Sequence, residues 1–473
     1  MAARVADDSA WREWQRQVEH TGHCVRPVRV RGGAAAVDTG TGEVLAEYST
    51  AGRPDGALLL ACKDRRSAVC PACAETYRRD TWHVIAAGLR GRTAAVPGGV
   101  DAVPASVAGH PVVLATFTAP SFGAVHRAGD AACRARSGRP MCPHKVSLTC
   151  DARHGGGDAR VGTPLCWDCY DYAGHVLWHA AVPEVWRRTV IYLYRALARV
   201  ATERTGTRVT VRAVRGHVRV SYVKVAEFQK RAAVHLHAVL RLDGVDADAP
   251  ERVTAPPAWA DVSALEAAIR DAAARVAVRL PEVGGRTRKA RWGAQLDVAP
   301  IIDPERAAAY LAKYATKTAG DVLAGLPARR FGRSEADRIR RRVANPHVML
   351  LVAMCFRLSR LPDCAGFALD LHPHTLGFRG HFATKSRRYS VTLGVLRGVR
   401  RSWRARSRPG GDVWARAGDV ADDGTVIVRE WRYLGTGWAR PGDANLAAGL
   451  ALDHAAARAA FDLAMVARAG EAP

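Results

Sequence analysis

The sequence predicts an α+β protein, an antiparallel sheet covered by helices and accompanied by cysteine-rich, metal-stapled modules. Three observations predict it. Nine of the eleven cysteines lie between Cys24 and Cys169. The middle of the chain runs strand, cysteine-rich insertion, helix, hairpin, helix, strand, helix. Its 473 residues, 48% apolar and 24% charged, suit about three globular domains rather than a disordered or fibrous chain.

Taken in order, Pro111-Val-Val-Leu-Ala-Thr-Phe-Thr118 has strand composition and stops at Pro120. Apolar residues at helical spacing predict a helix over Trp186–Val200, with Pro183 just upstream as its start signal. Arg208–Phe228 is β-branched and alternating, Val234–Leu242 continues it after a short break, and the pair reads as a hairpin turning about Arg231. Ser263–Leu280 reads as an Ala-rich helix, Ala294–Ile301 as a strand, and Pro304–Lys317 as a helix opened by Pro and Glu. Beyond about residue 330 come Arg-rich helices, a basic loop over Gly377–Arg388, a hairpin turning at Asp422-Asp423-Gly424, and a final Ala-rich helix from Asn445 to Arg468. The expected division is an N-terminal zinc-binding region over 1–110, a core over 111–330 with a zinc-binding insertion at 133–172, and a basic helical and hairpin region over 331–473.

Charge narrows the function. Seventy Lys and Arg against 45 Asp and Glu leave +25. A field of that size attracts polyanions, and counterion release from phosphate backbones is its commonest use. A membrane surface would call for a basic amphipathic helix or a lipidation signal, and neither is present in the sequence. The longest uninterrupted apolar stretch, Val348–Phe356, is too short to span a bilayer. The first residues carry acids where a signal peptide has its apolar core. The expectation is a soluble, cytoplasmic protein that binds nucleic acid.

The doublets Cys70-Pro-Ala-Cys73 and Cys166-Trp-Asp-Cys169 read as zinc knuckles in a reducing compartment. Zn²⁺ would supply folding energy to segments with little hydrophobic periodicity of their own. About two structural ions are expected. One takes Cys24, Cys62, Cys70 and Cys73; the other takes Cys142, Cys150, Cys166 and Cys169, with His154 as first substitute and His144 also at hand. Cys133, Cys355 and Cys364 read as ordinary thiols. Redox-active doublets are the alternative, but no thioredoxin-like βαβ pattern surrounds either.

The candidate chemistry begins at His235-Leu236-His237. Two residues apart on a strand, both imidazoles share one face while Leu236 points to the other. A turn about Arg231 puts Glu227 across from His235. Two imidazoles and a carboxylate can hold one divalent cation with positions left for substrate oxygens, although two half-buried histidines can also be structural. Tyr310, Lys313, Tyr314 and Lys317 stand at i, i+3, i+4 and i+7, one face of a helix. A solvated edge would look the same, yet two of the chain's eight lysines sit here. A phenol is a poor nucleophile at its free pKa, and ammonium groups favour phenolate or contact the phosphate under attack. Together these groups describe one reaction: a cation polarises a phosphodiester as Lewis acid and tyrosine attacks in line, leaving a 5′-phosphotyrosine and a free 3′-hydroxyl. Arg379, His381, Lys385, Arg387, Arg388 and Tyr389 read either as a solvated loop or as a phosphate-tracking one, with Phe378 or Tyr389 stacked on an unpaired base.

His235-Leu-His237 followed by Tyr310-Leu-Ala-Lys313-Tyr314 resembles the HUH endonucleases that start rolling-circle replication. Val225-Ala-Glu227, a turn and His-x-His look like the metal motif of single-stranded DNA phage initiators, and Leu114-Ala-Thr-Phe-Thr118 falls where that family's first motif strand lies. More narrowly, the chain is similar to the replication initiators of actinomycete plasmids. That similarity is carried by Cys70–Tyr77, Pro164–Tyr172, Arg291–Asp297 and Gly377–Tyr389. The resemblance implies an HUH/RRM-like core, Mg²⁺ or Mn²⁺ on His235, His237 and Glu227, and nicking of one strand at a double-strand origin followed by strand transfer at termination. It implies Tyr314 as nucleophile and Tyr310 either as a second tyrosine taking turns or as a packing residue. Arg231-Ala-Ala departs from the Arg-Gly that relatives often have.

The implied partners are plasmid origin DNA, partly single-stranded, and a host helicase and polymerase. No Gly-x-x-x-x-Gly-Lys-Ser/Thr motif is present to drive unwinding. A relaxase or HUH transposase would share the chemistry, but typical relaxases place tyrosine before His-x-His, and a single-tyrosine transposase is much shorter. A noncatalytic zinc-containing DNA-binding protein would explain the charge alone.

Overall fold

The computed structural model describes residues 6–91, 103–134, 140–317, 322–327, 329–406 and 424–470. The chain forms two compact units, residues 1–81 with 392–473, and residues 82–391. These do not coincide with the three expected segments. Residues 331–391 fold with the central sheet, and the N- and C-terminal segments share a unit. Among the described residues no helix is long and apolar enough to cross a membrane.

The larger unit is built on one antiparallel sheet. Its elements are β1 (Val112–Phe117), α1 (Tyr172–Thr205), α2 (Val211–His217), β2 (Val218–Phe228), β3 (Val234–Val245), α3 (Val262–Arg275), β4 (Leu296–Pro300), α4 (Pro304–Lys317), α5 (Arg333–Arg340), α6 (Pro346–Leu358) and β5 (Ala383–Lys385). The strand order is β4-β1-β3-β2-β5, and a two-residue strand, Val253–Thr254, pairs with β3. The α+β reading holds. One sheet face carries Phe117, Ala226, Val234 and Leu236, all buried in the main core. The core side of α1 covers this face: Phe117 meets Trp186 edge-to-face at 5.6 Å and Trp292 at 5.0 Å. Such aromatic contacts add about 1 kcal/mol beyond area burial.

Two local predictions change. The long helix begins at Tyr172, where Asp171 caps it by accepting from the Gly174 N–H at 2.9 Å. Pro183 therefore lies inside α1 rather than ahead of it. Buried Leu177, Trp178, Val182, Val185 and Trp186 continue the core face through the proline, which outweighs the one hydrogen bond it forgoes. Residues 211–217, expected as strand, are helical because the Thr210 hydroxyl accepts from the Ala213 N–H and nucleates a turn.

The β2–β3 hairpin sets the register. Ala226 pairs with Leu236, Glu227 with His235 and Phe228 with Val234. In the turn, Ala232 sits at φ 61°, a left-handed conformation that is strained by about 1 kcal/mol for a residue with a Cβ. The Arg231 guanidinium holds this turn by donating to the Ala119 and Pro120 carbonyls, each at 2.8 Å. At the far end of β3, fully buried Arg241 pairs with buried Asp243, which also contacts His110 at 2.8 Å.

In the smaller unit, strand Val28–Asp38 pairs antiparallel with Val44–Ser49, Leu58–Leu60 and Thr425–Thr436. Thr425–Thr436 was expected in a local hairpin; it pairs instead with the first strand of the chain, and Asp422 and Asp423 lie outside the described residues. Trp14 and Val18 of helix Asp8–His20 pack with Ala447 of helix Pro441–Gly470.

Three buried histidines latch the base of the hairpin. His179 Nδ1 faces the Leu376 carbonyl at 2.8 Å, while its Nε2 receives the Val234 N–H at 3.2 Å. A carbonyl only accepts and an amide only donates, so His179 is neutral with its proton on Nδ1. His347 donates from Nε2 to the Arg231 carbonyl at 3.2 Å. Burial pushes His179 and His347 down to about 4, and His175 further still. Each folded-state pKa lies below the unfolded value of 6.5. The unfolded chain therefore takes up protons first as pH falls, and the stabilisation, complete above about pH 6.5, is lost between there and about pH 4. The urea midpoint should fall steeply over that window, and His179→Gln should flatten part of the slope.

Candidate active site and metal centres

The hairpin register brings Glu227, His235 and His237 to the sheet face opposite Leu236. Across β1, Thr116 pairs with His237, and beyond it Asp297 of β4 pairs with Thr116. The Thr116 hydroxyl lies 3.1 Å from His237 Nδ1, and Glu227 Oε2 lies 3.2 Å from His237 Nε2. Two ligand atoms of one octahedral cation with bonds of about 2.1 Å would stand roughly 3 Å apart, which the His237–Glu227 pair matches. His235 Nε2 is buried and has no hydrogen-bond partner among the described residues. Burial, followed by the charges of His237 and Arg231, pulls His235 down to about 3, so its lone pair is available at neutral pH. The His235 and His237 ring centres are 6.3 Å apart. This trio is looser than the cysteine groups described below, whose ligand atoms all lie within 4.8 Å of one another.

Helix α4 lays its tyrosines on the same histidine. Tyr314 stacks on His237 with centroids 4.7 Å apart and an interplanar angle of 23°. Tyr310 meets His237 edge-on at 5.6 Å and Tyr314 at 4.6 Å. The predicted stripe is real for three of its four members: Tyr310 and Lys313 are exposed, Tyr314 is half-buried, and Leu311, Ala312 and Ala315 face inward. The Lys317 side chain lies outside the described residues. The phenols differ. Burial, followed by Tyr314 and the Glu227 and Asp297 charges, pushes Tyr310 well above its ordinary value.

Among the described residues, nine of the eleven cysteines gather with three histidines into three groups of four potential ligands. Cys24, Cys62, Cys70 and Cys73 come together as the sequence suggests, with Cys62–Cys73 and Cys24–Cys70 sulfurs 3.6 and 3.8 Å apart. The second group differs from expectation. Cys142, Cys166 and Cys169 gather around His144, whose Nδ1 lies 3.2 Å from the Cys169 sulfur. Cys150 is elsewhere, joined by His154, His126 and Cys133, the last of these expected as an ordinary thiol. A backbone bridge between Arg134 and Cys150 turns Cys150 away from the knuckle. The signal for His144 was its place two residues after Cys142; nothing in the spacing marked His126.

The basic loop is largely structural. Tyr389 is fully buried, donates its hydroxyl to the Ile85 carbonyl at 3.1 Å and lies under Arg241. Phe378 is buried in the main core, so neither aromatic can stack on a base. Lys385 belongs to β5, Arg379 donates to the Gly366 carbonyl at 2.9 Å, and Arg388 is half-buried; His381 and Arg387 remain exposed. A basic surface that sequence reasoning missed lies along α5 and α6. A groove of roughly 970 Å³ has an apolar floor that includes Met349 and Phe356, and a rim of exposed Arg333, Arg340, Arg357 and Arg360 with Trp167 at one side. The available signal was Arg333 and Arg340 at i and i+7 on one helix, and Arg357 in the last turn of the next with Arg360 just past its end.

Residues 10–452 match the family profile described as "Replication initiator protein, pSAM2". The chain belongs to this family. A curated replication initiator protein from Streptomyces ambofaciens is 40% identical over 462 residues, covering 95% of this chain and 91% of that protein. No solved structure matches. In this initiator the upward shift of Tyr310 is directly measurable. The ultraviolet pH titration of wild type minus Tyr310→Phe should show a phenol that ionises only well above pH 10. A difference spectrum with an ordinary midpoint would remove the shift assigned to Tyr310.

Proposed function

We propose that this replication initiator is an HUH-type nickase and strand transferase that cuts one strand at a plasmid double-strand origin and rejoins it after rolling-circle replication. The observation that carries the reading is the stacking of Tyr314 on His237, itself 3.2 Å from Glu227. That places a phenol against two potential cation ligands on one sheet face. His235, His237 and Glu227 would hold Mg²⁺ or Mn²⁺, which supplies Lewis-acid polarisation of the scissile phosphate when bound. Buried His235 Nε2, with no hydrogen-bond partner among the described residues, suits that role.

Tyr314 attacks phosphorus in line. The new bond joins its oxygen to the 5′-phosphate, the bond to the 3′ oxygen breaks, the phenol proton departs and the 3′ oxygen takes one up. One phosphodiester-like bond replaces another, so the reverse step rejoins the strand without ATP. Exposed Lys313, with Lys317 a turn later in sequence, supplies positive charge for phenolate or phosphate. Tyr310, held protonated by its surroundings, packs edge-on against Tyr314 and is the candidate for the second transfer. The Thr116 hydroxyl steadies His237 from behind. The Cys24 and Cys142 groups would each hold a structural Zn²⁺, since thiolates packed this closely repel one another unless a cation lies between them. The Arg groove would track single-stranded phosphates while Trp167, carried between Cys166 and Cys169, stacks on a base. Host helicase and polymerase complete the reaction.

Full-length protein incubated with labelled single-stranded origin DNA and Mn²⁺ should form a covalent adduct. Tyr314→Phe should abolish it, His235→Ala should reduce it at least 100-fold, and a chelator should abolish it reversibly. An adduct that survives Tyr314→Phe but is lost in Tyr310→Phe would exchange the roles, and an adduct formed in chelator would sink the metal assignment. Binding is a separate matter. Arg357→Ala and Arg360→Ala should each lower the salt slope of single-strand affinity by about 0.7, and Trp167→Ala should weaken binding by about 10-fold without changing that slope.

A further inference from the structure

Between β1 and α1 the chain folds a small loop structure of its own, whose described parts are residues 118–134 and 140–171. The Cys142 group occupies one end of it. At the other end stand His126, Cys133, Cys150 and His154, four ligand-bearing side chains from three separate stretches of chain. His126 Nδ1 and His154 Nε2 are 3.1 Å apart, Cys133 Sγ is 3.8 Å from His126 Nδ1, and Cys150 Sγ is 3.3 Å from His154 Nε2. A tetrahedral ion with Zn–N of about 2.0 Å and Zn–S of about 2.3 Å sets its ligands roughly 3.3 to 3.8 Å apart, the same range.

We propose that these four residues form a third zinc site, of Cys₂His₂ type, distinct from both cysteine-doublet groups. The chemistry of each donor supports it. His154 is almost fully buried, and its Nδ1 faces Asp158 Oδ2 at 2.8 Å, with Asp158 held in turn by Arg160 at 2.8 Å. A carboxylate only accepts, so the His154 proton sits on Nδ1 and the Nε2 lone pair points into the cluster, the orientation that zinc-bound imidazoles receive from a supporting carboxylate. The Arg127 N–H donates to the Cys133 sulfur at 3.1 Å, which directs a sulfur lone pair within the cluster's loop. Two thiolates and two neutral imidazoles would balance the charge of one Zn²⁺.

The site has a positioning role for the hairpin. The Gly162 N–H donates to the His126 carbonyl at 2.9 Å and the His126 N–H to the Thr163 carbonyl at 3.0 Å, so the ion fixes the 162–163 segment. Gly162 adopts φ +89°, and a Cβ there would lie 2.3 Å from the Lys230 carbonyl. The stapled segment therefore lies directly against the Lys230–Arg231 turn, which sets Glu227 across from His235.

Zinc counting on purified full-length protein tests this independently of nicking. Cys133→Ser and His126→Ala should each lose one zinc ion per chain relative to wild type. In Co²⁺-loaded protein the spectrum lost in Cys133→Ser should have the thiolate charge-transfer intensity of a two-sulfur site. Wild type alone gives a second readout should the variants fail to fold. Cys133 and Cys150 should resist alkylation in zinc-loaded protein and become reactive together on chelation. An unchanged zinc count in a folded Cys133→Ser variant, free alkylation of Cys133 in loaded protein, or a Cys133–Cys150 disulfide in the unreduced protein would each overturn the proposal.

Discussion

The antiparallel register of β2 against β3 is the constraint on which the candidate site depends. A slip of one residue would turn Glu227, His235 and His237 into the core and Leu236 out to α4, because side chains alternate strictly along a strand. Several independent contacts oppose that slip. Phe117, Ala226, Val234 and Leu236 bury together on the α1 side. His179 receives the Val234 N–H, and Arg231 ties the turn to the carbonyls that follow β1. Breaking the register would leave a buried imidazole and a mostly buried guanidinium without partners, and each such loss costs about 1 to 3 kcal/mol. The strain at Ala232 is tolerated because these contacts together exceed it.

The parts of this site that were legible in the sequence are those set by local periodicity. His-x-His on an alternating strand, Glu227 a short turn away, and the stripe of Tyr310, Lys313 and Tyr314 all follow from repeats of 2 and 3.6 residues, and the structure has them where those repeats put them. What could not be read was set by long-range burial. Tyr389 looks like a base-stacking aromatic in a basic loop, yet its ring fills the space left by Gly88, where even a Cβ would approach it to 2.3 Å. Pro183 looks like a helix start, but the core face carries α1 across it. Strand Thr425–Thr436 looks like half of a local hairpin, and its partner lies some four hundred residues earlier. The cysteine groups show the same limit. A Cys-x-x-Cys doublet fixes two ligands by turn geometry, whereas the outer ligands depend on how the loops between them close, so Cys150 and His144 exchanged places.

Ligand chemistry separates the potential metal positions of this chain into two kinds. Among the described residues, each cysteine-containing group combines soft sulfur ligands with at most two imidazoles in a set of four, the pattern that suits structural zinc. The hairpin trio has no sulfur. Its one carboxylate and two imidazoles stand further apart, on a sheet face shared with Tyr310, Tyr314 and exposed Asp297. Under the proposed function, a set this open would leave coordination positions for phosphate oxygen and water, and its single carboxylate would leave a divalent ion with net positive charge. In the proposed reaction, thiolate clusters in the same unit would hold the hairpin in register without competing for the looser cation, which would face the helix-borne Tyr314.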